Sequence, residues 1–303
     1  MSESWTRDEQ DLAALARGKH IVEILIEERA ERLVSSSFWP LYRSVLYPLL
    51  KEPQAVRMAD AIAEMSGAQA MAFVSEILSL DISVAGLEHI PQKGRVLIAS
   101  THPTGIADGV AMYDALKARR PDMTFFANRD ALRVTPRFCD VIIPVEWVEA
   151  KRTRGKSRET LMMAKQAFED ERCVVLFPSG RLARMGDDKQ LIEREWLTSV
   201  AIFARKYDCA VVPANIAARN SWLYYWFWKL SAELRDITLF NELLNKKGKP
   251  YAIQFGPAIS ASALAGDPVA VTKALREHAA YGVPAGRGWS PMSEDGAEGE
   301  ESR

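Results

Sequence analysis

Between residues 81 and 256 the chain repeats one device: a short apolar run closed by Pro, Gly or Asn, then a stretch with helical spacing. The runs are ISVAG (82–86), RVLIAS (95–100), MTFFAN (123–128), DVIIPVE (140–146), CVVLFPSG (173–180), AVVPANIA (210–217) and YAIQFG (251–256). Short runs that are apolar throughout read as strands buried on both faces. Helical patterns at 157–169 and 191–207 lie between them. Helices must then cover both sides of the sheet. The expected fold class is therefore α/β: a mainly parallel mixed sheet flanked by helices, with a helical N-terminal segment.

That architecture predicts where reactive groups sit. Open α/β sheets place them beyond the carboxyl ends of the strands, where diverging loops leave a crevice. RVLIASTHPTGIADGV (95–110) puts His102 and Asp108 there, in a loop whose Pro103, Gly105 and Gly109 fix backbone rather than fill a core. A carboxylate beside a His fixes its tautomer and stabilises its cation, which makes a base near neutral pH. His102 and Asp108 are the candidate catalytic pair.

Other strand ends carry polar residues that a purely structural sheet does not need. Asn128 and Arg129 follow one, with Arg133 beyond; Ser179, Gly180 and Arg181 follow another; Arg219 and Asn220 follow a third. If these edges converge, His102 faces guanidinium groups and loop amides, which suit phosphate or carboxylate. Asn128, Arg129, Ser179, Gly180, Arg181, Arg219 and Asn220 are thus candidate substrate-binding residues. Ser179 lacks the Gly-x-Ser-x-Gly elbow of common α/β hydrolases, so a substrate-contacting role is expected rather than a nucleophile. No paired His or Cys cluster argues for a metal, and no Walker or Gly-x-Gly-x-x-Gly loop for a nucleotide.

Composition excludes several classes. The formal net charge is -1, with 39 basic and 40 acidic residues, so nothing global points to nucleic acid. Cys139, Cys173 and Cys209 are scattered and sit in or beside apolar runs, as buried free thiols do. No basic-then-apolar leader opens the sequence, and no apolar run reaches the roughly 20 residues that span a bilayer. A soluble or membrane-surface protein is expected.

The flanks carry open readings. Residues 8–35 and 54–80 have helical spacing, separated by a dense apolar cluster from Phe38 to Leu50 around Pro40 and Pro48. This is either a helical cap on the core or an interfacial platform. SWLYYWFWKLSAEL (221–234) is either a buried helix or one at a lipid surface or acyl groove. KRTRGKSR (151–158) is either a solvated loop or a patch for anionic headgroups or an acidic carrier protein. The divisions expected are 1–80 helical and possibly membrane-interfacial, 81–283 the α/β domain, and 284–303 a disordered acidic tail.

Taken together, four blocks resemble the glycerolipid acyltransferase superfamily, the lysophosphatidate-acyltransferase-like enzymes, in its hemolysin-like and ornithine-lipid-type branch. The blocks are THPTGIADG, FFANRDALR with the following IIPVE, FPSG at 177–180, and Val212-Pro213 followed by ARNSWLYY and LLNKKGK. The resemblance covers about residues 80–260. Two departures stand out. His102 and Asp108 are one residue further apart than in the commoner pattern. The third block has Ser179 where a Glu is common, and Arg181 is shifted by one place. A plain lysophosphatidate acceptor is thereby less expected than a lyso-amino-lipid.

The resemblance implies an O-acyltransferase of membrane lipid biosynthesis, peripheral on the inner face of the cell membrane. His102 takes the proton from a lyso-lipid hydroxyl, which attacks an acyl thioester; Asp108 orients the imidazole. Gly180 amides, Arg181 or Arg129 steady the oxyanion or the headgroup. The thioester comes from acyl carrier protein or coenzyme A as co-substrate, with no tightly bound cofactor. The rivals are a non-catalytic lipid or carrier-binding module, and an esterase or thioesterase that uses water at the same His.

Overall fold

The computed structural model describes residues 9–291. Six helices come first: α1 (Glu9–Ala16), α2 (Ile21–Glu27), α3 (Glu31–Val34), α4 (Trp39–Leu49), α5 (Glu52–Ile62) and α6 (Gly67–Leu78). The expected long helices are cut into short ones. Gly18, at φ +81°, ends α1. His20 then caps α2: its ring accepts from Val22 N, while Glu23 reaches back to His20 N. Ser66 and Gln69 make the same reciprocal cap on α6, which splits the segment expected over 54–80.

The α/β region follows. It contains β1 (Asp81–Ala85), β2 (Val96–Ser100), α7 (Ile106–Leu116), β3 (Thr124–Asn128), α8 (Asp130–Val134), β4 (Ile142–Val145), α9 (Arg154–Glu169), β5 (Cys173–Leu176), the small hairpin β6 (Arg184–Met185) and β7 (Leu191–Ile192), α10 (Ser199–Lys206) and β8 (Ala210–Ala217). Three helices, α11 (Trp222–Leu230), α12 (Ala232–Ile237) and α13 (Leu239–Leu244), lead to β9 (Pro250–Phe255), and α14 (Pro268–Glu277) closes the layer. The helix expected over 191–207 starts only at Ser199. Residues 193–198 instead run as a loop that turns Glu193 and Trp196 inward.

The main sheet has seven strands in the order β1-β9-β8-β2-β5-β3-β4. β2 lies inside it, parallel to β8 and β5, with every residue buried. Five strands run one way, while β9 is antiparallel to β8 and β1 is parallel to β9. Alternate side chains of β2 feed two cores. Val96 and Ile98 pack with α6 and α7; Leu97 and Ala99 pack with α9, α10 and α14. This is the both-faces burial that the uninterrupted apolar runs predict. From β2 the chain passes over one face to β3, and from β5 over the other face to β8, so the crevice beside β2 is a switch point.

The N-terminal helices form a third cluster, with Ile21, Val22, Leu25, Ile26, Tyr47 and Leu50 around Ile237 of α12. Arg133 on α8 clamps them to the sheet edge by pairing with Asp11, Glu28 and Asp130. Hydrogen bonds from Arg133 and Lys151 outweigh burial and lower the Glu28 carboxyl to about 2. α4 keeps only Tyr47 buried and leaves Leu41, Tyr42, Val45 and Leu49 exposed, with Phe38 exposed just before it. Cap and exposed apolar surface are thus both present, on different helices. No described helix is long and apolar enough to cross a membrane. Of the stretch 284–303, residues 292–303 lie outside the described residues; in the described part Trp289 packs edge-on against His278.

Candidate active site

β2 ends at Ser100, and the loop turns at once. Gly105 holds φ +95° and ψ -128°, a conformation closed to side chains, and starts α7. Asp108 is the third residue of that helix and fully buried. Its carboxylate accepts from Thr104 N at 2.8 Å, Gly105 N at 2.9 Å and the Thr104 hydroxyl. Its fourth partner is His102 Nδ1, at 2.9 Å. The aligned amides of the helix start favour the negative charge there. The acid is therefore fixed before the imidazole reaches it.

With Nδ1–H donated to Asp108, the lone pair of His102 lies on Nε2. Nε2 has no hydrogen-bond partner among the described residues, and the side chain is 16% exposed. Phe177 stacks on the ring, centroids 4.3 Å apart. The arrangement is a held imidazole with one free, reachable basic nitrogen.

The segment from Ser179 to Leu197 straps over this loop. Ala183 N donates to His102 O, and Leu197 N donates to Pro178 O. Glu193 accepts from His102 N at 3.1 Å and from Trp196 Nε1 at 3.0 Å. Burial raises the Glu193 carboxyl above its ordinary range, against those hydrogen bonds. Gly180, at φ +58°, lies so close under Trp147 that an added Cβ would meet its ring at 2.0 Å. Behind the dyad, Tyr251 of β9 hydrogen-bonds the Thr104 hydroxyl at 2.8 Å. Burial pushes the Tyr251 phenol well up, so it stays protonated.

The structure brings together only part of the residues expected at the site. His102 and Asp108 meet, and FPSG reaches them through Phe177. Ser179 is buried, and its hydroxyl donates to Arg181 O rather than to His102. Gly180 N donates to Phe177 O, so that amide is engaged in a turn and is no free oxyanion donor. Arg181 is exposed and forms no ion pair among the described residues. The others serve elsewhere. Asn128 accepts from Asp130 N and starts α8. Arg129 is buried against Glu159 of α9, with its Nε unpartnered. Arg219 reaches the hairpin, donating to Lys189 O. Asn220 accepts from Lys246, which is buried with Glu242. Short-range needs of helix starts and of buried charge account for these placements.

Thr104, Phe177, Tyr251 and Glu193 complete the surroundings of the dyad, and the strand-end reasoning did not name them as site residues. Thr104 lies inside the His-Asp loop and Phe177 at the end of its run, so position pointed to both. Glu193 and Tyr251 come from distant segments and carry no local signal.

Residues 81–217 match the Acyltransferase family. Over 193 residues the chain is 26% identical to the lyso-glycine lipid O-acyltransferase of Phocaeicola vulgatus, covering 61% of this chain and 66% of that protein. Over 190 residues it is 23% identical to the protein of the same name from Bacteroides thetaiotaomicron, covering 61% and 68%. The chain thus spans about two thirds of the length of these relatives. Among solved structures it is similar to the 1-acyl-sn-glycerophosphate acyltransferase PlsC of Thermotoga maritima, at 13% identity and a TM-score of 0.44, over 85% of this chain and 97% of that one. The matched region holds β1 to β8 and the whole His102–Asp108 loop, so the likeness to the Acyltransferase family covers the site itself.

Proposed function

We propose that the protein is a lyso-lipid O-acyltransferase, moving a fatty acyl group from a thioester to a lipid hydroxyl. The observation that carries this reading is the 2.9 Å contact of His102 Nδ1 with a fully buried Asp108, which leaves Nε2 free. Nε2 removes the proton of the acceptor hydroxyl as its oxygen attacks the thioester carbonyl. Asp108 stabilises the imidazolium. The tetrahedral intermediate collapses, the C–S bond breaks, and the thiolate leaves with the proton that His102 returns. The products are a lipid ester and a free thiol. No side-chain nucleophile is needed, in keeping with Ser179 being bound to a carbonyl.

The acceptor class follows from the departures in the third block together with the names of the relatives. A lyso-amino-lipid of the glycine or ornithine type fits better than lysophosphatidate. Such a headgroup carries a carboxylate, and Arg181 is an exposed cation of that block with no ion pair among the described residues. The lipid arrives at a membrane surface. Phe38 at the start of α4, Leu41, Val45 and Leu49 on it, and Trp222, Trp226 and Leu230 on α11, expose large apolar groups at helical spacing. Interfacial helices present such faces. The protein then works as a peripheral protein on the inner leaflet.

Purified protein incubated with a lyso-glycine lipid and hexadecanoyl-coenzyme A or hexadecanoyl acyl carrier protein tests the reading. Mass spectrometry is expected to find one diacyl lipid formed per thiol released. Free fatty acid with no new lipid would make the protein a hydrolase, and no turnover would leave a binding module.

A further inference from the structure

The basic run at 151–158 divides in the structure. Lys151 pairs with Glu28 and Lys156 with Glu146, so these two cations are engaged locally. Arg152, Arg154 and Arg158 instead line a groove of about 510 Å³ between α9 and α10, joined there by Lys206 and by Lys165, which also pairs with Glu169 of its own helix at 3.5 Å. Leu161 and Met162 of α9 are more than half exposed along it, at 54% and 59%, and Tyr207 closes its far end. No carboxylate belongs to the described lining. Five cations around an apolar floor make a surface complementary to an acidic partner with an apolar stripe.

Position decides which partner. α9 and α10 bury their inner sides in the core fed by Leu97 and Ala99. The exposed apolar helix α4 belongs to the layer on the other face of the sheet, as does α12, which follows α11 directly. A bilayer resting on α4 and α11 leaves the α9–α10 groove turned towards water. The chain that leads into the groove passes the site. Trp147, five residues before Arg152, covers Gly180 of the FPSG loop, whose Phe177 stacks on His102.

We propose that this groove docks an acidic acyl carrier protein, so that the thioester is delivered from the face opposite the one that meets the lipid. The proposal rests on the reading of His102 as an acyl-transfer site and names the donor that site uses. An anionic membrane is the competing occupant, and the packing of α9 and α10 on a different core from that of α4 disfavours it.

The test is binding of holo acyl carrier protein to the full chain and to a variant carrying Arg158→Glu and Lys165→Glu, both exposed positions. The wild type is expected to bind, more weakly as salt rises. The variant is expected to lose about tenfold or more in Kd, as two reversed charges act within a Debye length. Its retention on vesicles of phosphatidylcholine and phosphatidylglycerol should equal that of the wild type. Absence of carrier binding by the wild type, equal binding by the variant, or loss of vesicle retention in the variant would each overturn the proposal. Failure of the site reading looks different: the wild type then binds the carrier yet transfers no acyl group from any thioester.

Discussion

Asp108 has four hydrogen-bond partners and no exposure, and His102 has one partner and an open nitrogen. In the proposed reaction the first is the anchor and the second the base. Glu193 supports the base through its backbone. Replacing Glu193 by Ala leaves His102 N–H and the Trp196 indole N–H unpaired, at about 1–3 kcal/mol for each buried donor. Thermal unfolding should show that loss, kcat should fall more than KM rises, and Glu193→Gln should restore only part, because its single amide oxygen accepts from one of the two donors and its NH2 faces the other. Gly180→Ala places a methyl group in the Trp147 ring at a positive φ. It is expected to displace the FPSG loop and lower the rate, with a fall in Tm on the same sample. At this scale the sequence is legible where partners share a loop. His102 and Asp108 do so, within seven residues. Glu193 arrives over 90 residues later from a charged stretch, and only the fold shows what it touches.

The helices divide between those that clamp and those that are left bare. α8 clamps: Arg133 draws Asp11 and Glu28 of the N-terminal layer onto the edge of the sheet. Arg133→Ala removes the cation shared by the buried Asp11 and the half-buried Glu28 and should cost about 3–5 kcal/mol in urea unfolding. The same cluster sets a pH dependence. Glu28 has its folded value lowered to about 2 from 4.5, so its contribution is fully present above 4.5 and is lost as pH falls towards 2. Chemical shifts or proteolysis of the first helices should report their release in that window; release on raising pH instead would contradict the assignment. Helical spacing located this layer but not its breaks. Gly18 and the Ser66–Gln69 box are both visible in the sequence, yet periodicity alone ran across them. Arg133 stands in the sequence as a strand-end cation and in the structure holds helices together.

Across the whole molecule the sheet separates two kinds of surface. Exposed aromatics and aliphatics lie on α4 and α11, exposed cations on α9 and α10, with His102 at the sheet edge they share. Trp222→Ser with Trp226→Ser should reduce association with vesicles several-fold, since each indole removed takes away apolar area from the interface. Sedimentation with vesicles checks this; full retention would move the membrane contact elsewhere. The parallel strands were legible because burial on both faces removes alternation from the sequence. The reversal of β9 against β8 was not, because three helices intervene and no short turn records the direction. The division of the surface was equally hidden: the basic run and the aromatic run are both plain in the chain, but only the fold shows that α9 and α10 pack on one core and α12, next to α11, on another.

The central claim is that His102 and Asp108 act as one base on the acceptor hydroxyl. A double-mutant cycle in kcat, on folded His102→Ala, Asp108→Asn and the combined variant, tests it most directly. The account predicts that His102→Ala lowers the rate by about a hundredfold to ten-thousandfold, and that adding Asp108→Asn then costs almost nothing further. Losses that multiply, or a His102→Ala protein that still turns over at the wild-type rate, would contradict it.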